Sequence, residues 1–125
     1  GDIPAYATSD SYEANPQAYP DIDGLIFPEM PWMISSNANV TRVRNAVHQA
    51  WAEDSPAHGR LYAFGYDAWQ LAAAIRTGDS RTPGFVLAGL TGQLSFDEQR
   101  HIKRELDWAQ VHSVGARPLT RGDNP

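Results

Sequence analysis

The sequence predicts a mixed α/β chain with two main helices, several short strands and a C-terminal β-hairpin. Three observations carry this prediction. His58–Ile75 has apolar residues at helical spacing around most of its circumference. Asn39–Trp51 shows the same period on one face, and Leu94 and Phe96 alternate with polar residues as in a half-buried strand. With 42% hydrophobic and 20% charged residues over 125 positions, the composition is that of one globular domain.

The N-terminal part of the chain predicts two short strands joined by a loop. Ile3–Thr8 and Gly24–Phe27 are the strands, and the Ser-, Asp-, Asn- and Pro-rich segment Ser9–Asp23 is the loop, with room for one helical turn. Pro28 and Pro31 then end the second strand, because proline cannot donate a ladder hydrogen bond.

The proline-pinned turn Pro28–Trp32 is the most unusual local feature of the sequence. A turn of this kind after a buried strand is a common place for a partner or ligand to dock. The alternative is that Trp32 fills the core. Together with two aromatic residues of the main helix, the turn supplies the candidate contact residues, since Tyr and Trp are enriched at interfaces. These candidates are Glu29, Trp32, Tyr66 and Trp69.

The first main helix is predicted over Asn39–Trp51, with Val40, Val43 and Val47 facing the core. Four residues before it carry oxygens that could cap the first turn, so its start stays open among them. They are Ser35, Ser36, Asn37 and Asn39.

The second main helix, His58–Ile75, is predicted to be apolar on two adjacent rows. The first row is Leu61, Phe64, Ala68, Leu71 and Ile75. The second row is Tyr62, Tyr66, Trp69 and Ala73. Arg60, Asp67, Gln70 and Arg76 mark the polar side. Because so wide an apolar surface needs more than one neighbour, we expect it to meet groups outside this chain.

The C-terminal third predicts a hairpin. Phe85–Leu90 is either a helix end or a strand, since the run is too short to decide. A strand through Leu94, a polar turn at Asp97–His101 and a returning strand Ile102–Trp108 form the hairpin. In the returning strand, Ile102, Leu106 and Trp108 share the inward parity. A last short strand is predicted at Arg117–Thr120.

Charge and residue types exclude several function classes. Fifteen acids against ten Lys and Arg give a net charge of −5, which disfavours nucleic acid as a partner. The absence of cysteine rules out disulfides and thiolate chemistry. The four histidines are widely spaced, and no nucleophile elbow or phosphate-binding loop is present. We therefore predict no enzyme activity and no catalytic, cofactor-binding or metal-binding residues.

Four segments, in order, resemble a known family. PAYATSDSYE, DIDGLIFPEMPWMI, RLYAFGYDAWQLA and GLTGQLSFDE with IKRELDWAQV are similar to the C-terminal end of the LppC/LpoA lipoproteins, bacterial envelope proteins that activate penicillin-binding proteins. The sequence departs from the family pattern at two points. The turn Asp97–His101 lacks the expected glycine, and Glu29 stands where an aspartate is familiar.

The resemblance implies part of a type I periplasmic binding protein-like fold, with two lobes whose parallel-type sheets are sandwiched by helices. It implies a non-catalytic activator of a class A penicillin-binding protein, a bifunctional peptidoglycan synthase. It also implies location in the periplasm, with an outer-membrane lipid anchor outside this chain. The alternative is a receptor of the same fold for an amino acid or amide. Such a receptor needs a polar cleft, for which Glu29, Trp32 and Tyr66 are the candidates.

We expect residues 1–125 to be the C-terminal segment of one incomplete domain. In type I binding proteins the chain crosses between lobes, so such a segment supplies parts of both. The large aromatic residues outnumber the short strands available to cover them, which predicts self-association of the isolated chain or its place within a longer polypeptide.

Overall fold

The structure is a computed structural model that describes residues 3–9, 22–52, 58–112 and 115–119. It is a mixed α/β arrangement, as predicted. The helices are α1 (Pro31–Ile34), α2 (Ala38–Ala50) and α3 (Gly59–Thr77), and α3 is followed by a 3-10 turn at Asp79–Arg81. The strands are β1 (Ile26–Glu29), β2 (Val86–Ala88), β3 (Gln93–Phe96), β4 (Ile102–Glu105), β5 (Asp107–His112) and β6 (Gly115–Pro118). The undecided run Phe85–Leu90 is thus a strand.

One sheet has the order β1-β5-β6, and both of its strand pairs are antiparallel. Phe27, Ala109 and Val111 form its buried core. The predicted strand Ile3–Thr8 contributes a single parallel bridge, between Tyr6 and Ile26. Most of the predicted loop Ser9–Asp23 lies outside the described residues.

The other sheet is an antiparallel meander, β2-β3-β4. Leu94 is buried, as the alternation predicts. The predicted polar turn Asp97–His101 is confirmed, with the Asp97 N–H donating to the His101 carbonyl over 3.0 Å. Arg100 takes φ 68°, the left-handed conformation that the missing glycine would adopt without strain.

The returning strand differs from the prediction, which made Ile102–Trp108 one strand with Ile102, Leu106 and Trp108 facing inward. Leu106 interrupts it, so β4 stays on β3 while β5 crosses to pair with β1. Ile102 and Trp108 are consequently exposed. The strand ladders of the described residues are all antiparallel, and the parallel-type sheets that the resemblance implies for the complete two-lobed fold are not among them.

Helix α2 follows its prediction closely. Of the four candidate caps, Asn37 is the one that acts, since its side-chain oxygen accepts from the Val40 N–H over 2.9 Å. Val40 and Val43 are buried and Val47 packs against them. The predicted closing segment after the helix lies largely outside the described residues.

Helix α3 has its predicted span but not its predicted orientation. The residues buried against the rest of the chain are Ala63, Asp67 and Leu71, at successive intervals of four. Of the predicted inner row, only Leu71 is buried. Asp67, which was predicted to lie on the solvent side, accepts hydrogen bonds from the buried N–H groups of Leu90 and Thr91. These bonds turn the Asp67 side of α3 toward the interior. No described helix is long and apolar enough to cross a membrane.

Candidate partner interface and the frame beneath it

Glu29, a candidate contact, ends β1 and is fully buried. Both of its carboxylate oxygens accept from Arg60 in the first turn of α3, each over 2.7 Å. The Met30 N–H also donates to Glu29 Oε1 over 2.8 Å. A buried carboxylate is tolerated only when paired and hydrogen-bonded in this way. Glu29 therefore joins β1 to α3 and has no surface to offer a partner directly.

Trp32, the second candidate, lies in the core, which is the alternative that the sequence left open. Proline at the first position of α1 favours the turn that places it. The Trp32 N–H donates to the Leu90 carbonyl over 2.9 Å, and the Arg44 guanidinium lies 5.6 Å from the indole centroid. A Cβ built on Gly59 would come 2.8 Å from Trp32 Nε1, so α3 approaches the indole closely only because residue 59 is glycine.

Asp67 is the buried carboxylate that fixes the middle of α3, and the sequence prediction placed it on the solvent side. It is 3% exposed and accepts from the Leu90 N–H over 2.8 Å, the Thr91 N–H over 2.8 Å and Thr91 Oγ1 over 2.7 Å. A Cβ on Gly89 would come 2.4 Å from Asp67 Oδ2. The sequence did carry a signal: Asp67 is the only charged residue between Arg60 and Arg76. An isolated acid in so apolar a helix indicates a buried polar contact.

The other two candidates lie on the outer side of α3. Tyr66 is half-buried and packs against the cluster around Trp32, while Trp69 is 66% exposed. Their ring centroids are 6.5 Å apart. A second aromatic pair, missed by the sequence reasoning, is Trp51 stacked on Tyr62 at 5.3 Å and 21°. The structure thus divides the four candidates into two interior residues and two that reach the surface.

The buried polar side chains of the described residues are held by hydrogen bonds. Every buried side-chain nitrogen and oxygen in this part of the chain has a hydrogen-bond partner. No group of three His, Asp or Glu side chains in the same ranges is placed to hold a metal ion. Burial lowers the pKa of Arg44, whose guanidinium donates to the Trp32 and Ser35 carbonyls. These polar groups hold the helices and strands in position.

A cleft of about 890 Å³ lies elsewhere, on the β1-β5-β6 sheet. Its polar lining comes from Asp23, Gln110, His112 and Arg117. None of Glu29, Trp32 and Tyr66, the residues a receptor was expected to use, lines it.

A family model described as "LppC putative lipoprotein" matches residues 1–115. The chain belongs to the LppC family. The lipoprotein character of the family points to the cell envelope.

Among relatives of this LppC-family chain is "Penicillin-binding protein activator LpoA" of Erwinia tasmaniensis, 38% identical over 109 residues, or 86% of this chain and 16% of that protein. A solved structure described as "LpoA (YraM) C-domain from Haemophilus influenzae, a regulator of PBP1A" has a TM-score of 0.63 at 25% identity, over 92% of this chain and 36% of that one. Another, of a "putative branched-chain amino acid ABC transporter" from Chromobacterium violaceum, has a TM-score of 0.63 at 31% identity, over 88% and 35%.

These likenesses confirm the predicted periplasmic binding protein-like fold. The LppC-family chain spans about 15–16% of the length of the curated relatives that it matches. The relatives are named as activators, so the receptor alternative is not favoured.

Proposed function

We propose that this chain is a non-catalytic part of an activator of a class A penicillin-binding protein, a bifunctional peptidoglycan synthase. The observation that carries the proposal is its relation to proteins named as penicillin-binding protein activators, at 35% and 38% identity over 74% and 86% of the chain. The geometry supports the same role, because the buried polar side chains within the described ranges are all satisfied and serve to hold helices and strands in place.

We infer that residues 1–125 form the C-terminal segment of one periplasmic binding protein-like domain. The match to 36% of the Haemophilus C-domain supports this reading. In the full-length protein, the domain sits in the periplasm and is held at the outer membrane by an N-terminal lipid anchor outside this chain.

The exposed Trp69, with Tyr66 beside it, is the contact residue that we assign to the synthase. Exposed tryptophans supply much of the energy of protein interfaces when a partner covers them. Glu29 and Trp32 act indirectly, by fixing the position of α3 from below. Self-association of the isolated chain is part of the same proposal, since the aromatic surface exceeds what its own strands cover.

Biolayer interferometry with the periplasmic part of a class A synthase from the source bacterium tests the assignment. Trp69→Ala should weaken binding by at least tenfold, because truncating an interface tryptophan removes a large desolvated surface. Trp108→Ala is the matched control, since Trp108 is 43% exposed but lies on β5 rather than on α3. Glycan-chain and cross-link formation are measured with the same variants.

No binding by the wild-type chain, and no effect of the full-length protein on synthase products, would contradict the proposal. Equal losses in both tryptophan variants would remove the assignment to Trp69 alone.

A further inference from the structure

The described residues form two separate apolar clusters. The helical cluster, which lies among α2, α3 and the loop before β3, is Trp32, Val40, Val43, Ala63 and Leu90. The sheet cluster, on the β1-β5-β6 sheet, is Phe27, Ala109 and Val111. Helix α1 contributes to both, since Trp32 belongs to the helical cluster and Ile34 packs against the sheet cluster.

Within the described ranges, the chain passes between the two clusters at two neighbouring points. One is Met30, between β1 and α1, and the other is Leu106, between β4 and β5. These points lie side by side, because Glu29 and Asp107, the residues next to them, are partners in the β1-β5 ladder. Adjacent short connections at the boundary between two packed groups have the geometry of a hinge. The apolar contact of Ile34 does little to fix the angle of such a hinge, since hydrophobic burial is non-directional.

The Glu29–Arg60 ion pair spans this boundary. Glu29 ends β1 on the side of the sheet cluster, and Arg60 lies in the first turn of α3 on the side of the helical cluster. The two carboxylate oxygens accept from two different guanidinium nitrogens, each over 2.7 Å. The Met30 N–H holds Glu29 Oε1 from a third direction over 2.8 Å. A bidentate contact of this kind fixes the orientation of its two partners as well as their distance.

We propose that the Glu29–Arg60 pair locks this hinge and sets the angle between the helical cluster and the sheet cluster. A buried ion pair adds little to stability compared with apolar residues of similar size, so the effect of this one is to select a single orientation. The contacts of Asp67 differ in kind, because Leu90 and Thr91 lie on the same side of the boundary as α3. The inference goes beyond the proposed function, since the lock acts within the chain whether or not a synthase binds.

Distances between two spin labels, measured by double electron–electron resonance, test for the lock. Because the chain has no cysteine, label sites can be introduced without background. The spanning pair is Asn45→Cys on α2 with Arg117→Cys on β6, and the one-sided pair is Asn45→Cys with Lys103→Cys on β4. All three positions are exposed. With the ion pair intact, the spanning pair should give one narrow distance distribution.

The variants separate the lock from stability. Glu29→Met with Arg60→Met keeps long side chains at both positions but removes the bidentate contact, so the chain should stay folded. The width of the spanning distribution should roughly double in this double variant. Arg60→Lys keeps the charge without the planar guanidinium and should broaden the distribution less. Asp67→Asn is the matched control: it weakens a buried carboxylate contact on one side of the boundary, so the spanning distance should keep its width.

A spanning distribution that stays narrow in the folded double variant overturns the proposal, as does one that is already broad with the ion pair intact. Equal broadening in Asp67→Asn, or broadening of the one-sided pair, overturns it as well, because the loosening would then be general. Circular dichroism establishes that each labelled variant is folded. If the double variant is not, Arg60→Lys decides in its place, and an unchanged width there overturns the lock.

Discussion

Removing the Asp67 carboxylate should be one of the most destabilising single changes at a polar residue of the chain. In Asp67→Ala, the buried N–H groups of Leu90 and Thr91 lose their acceptor in a site that is 3% exposed. An unsatisfied buried donor costs about 1–3 kcal/mol, so two cost roughly 2–6 kcal/mol. That is a large share of the 5–15 kcal/mol typical of a domain.

A graded series separates the hydrogen bonds from the charge. Asp67→Asn keeps one acceptor oxygen but turns an amide donor toward the remaining donors, so it should cost roughly 1–3 kcal/mol. Thr91→Val removes only the hydroxyl that donates over 2.7 Å, for about 1.5 kcal/mol. Glu98→Ala, at an exposed acid in the turn Asp97–His101, is the control and should change stability by less than about 0.5 kcal/mol.

Urea unfolding followed by tryptophan fluorescence measures the series. Trp32 reports on the loop between β2 and β3, since the backbone N–H of Trp32 donates to the Leu90 carbonyl in that loop. The urea midpoint should be highest for Thr91→Val, lower for Asp67→Asn and lowest for Asp67→Ala, with an unchanged m-value. A loss below 1 kcal/mol for Asp67→Ala would refute the reasoning, because the loop would then have found other acceptors.

Three further predictions concern the other polar contacts. Arg60→Met should lower the free energy of unfolding by about 3–5 kcal/mol, because it leaves Glu29 buried and unpaired. The double variant Arg60→Met with Glu29→Met should lose less stability. Equal losses for the two variants in urea unfolding would contradict this. Arg100→Ala should be about 1 kcal/mol less stable than Arg100→Gly, because both lose the contacts with Ser80 but only alanine keeps the strain of φ 68°; thermal unfolding ranks them. Burial, and then Glu105, raise the pKa of Asp107 above its ordinary 3.8. The folded state thus loses stability as pH rises through that range, and Asp107→Asn should stabilise the chain at pH 7 but not at pH 3; equal midpoint shifts at both would rule this out.

The sequence predicted those elements whose local signals agree with their packing. The Val40–Val43 face defines α2 in the sequence and in the structure, and Asn37, which caps it, is one of the four caps that the sequence left open. Alternation placed Leu94 correctly in β3. In both elements, the burial of apolar side chains and the local hydrogen bonds favour the same structure, so hydrophobic periodicity is sufficient to predict it.

The predictions failed where contacts with residues distant in the sequence determine the structure. The orientation of α3 depends on the donors of Leu90 and Thr91, more than twenty residues away, and helical spacing carries no information about them. The division of the returning strand at Leu106 depends on β1, which offers β5 a free edge from far upstream. Both failures moved apolar residues to the surface, including Phe64 and Trp108.

The same two buried carboxylates explain why the candidate contacts fall into an inner and an outer pair. Glu29 fixes the start of α3 through Arg60, and Asp67 fixes its middle through the loop at Thr91. With one side of the helix held at two points, its opposite side is presented rigidly, without the ordering cost that a mobile surface would bear on binding. Trp69 is therefore preorganised by residues that do not reach the surface. If Asp67→Ala weakens synthase binding at a temperature where the chain is still folded, that coupling is measured directly. An unchanged affinity in the folded variant would show that the outer surface does not depend on the inner contacts.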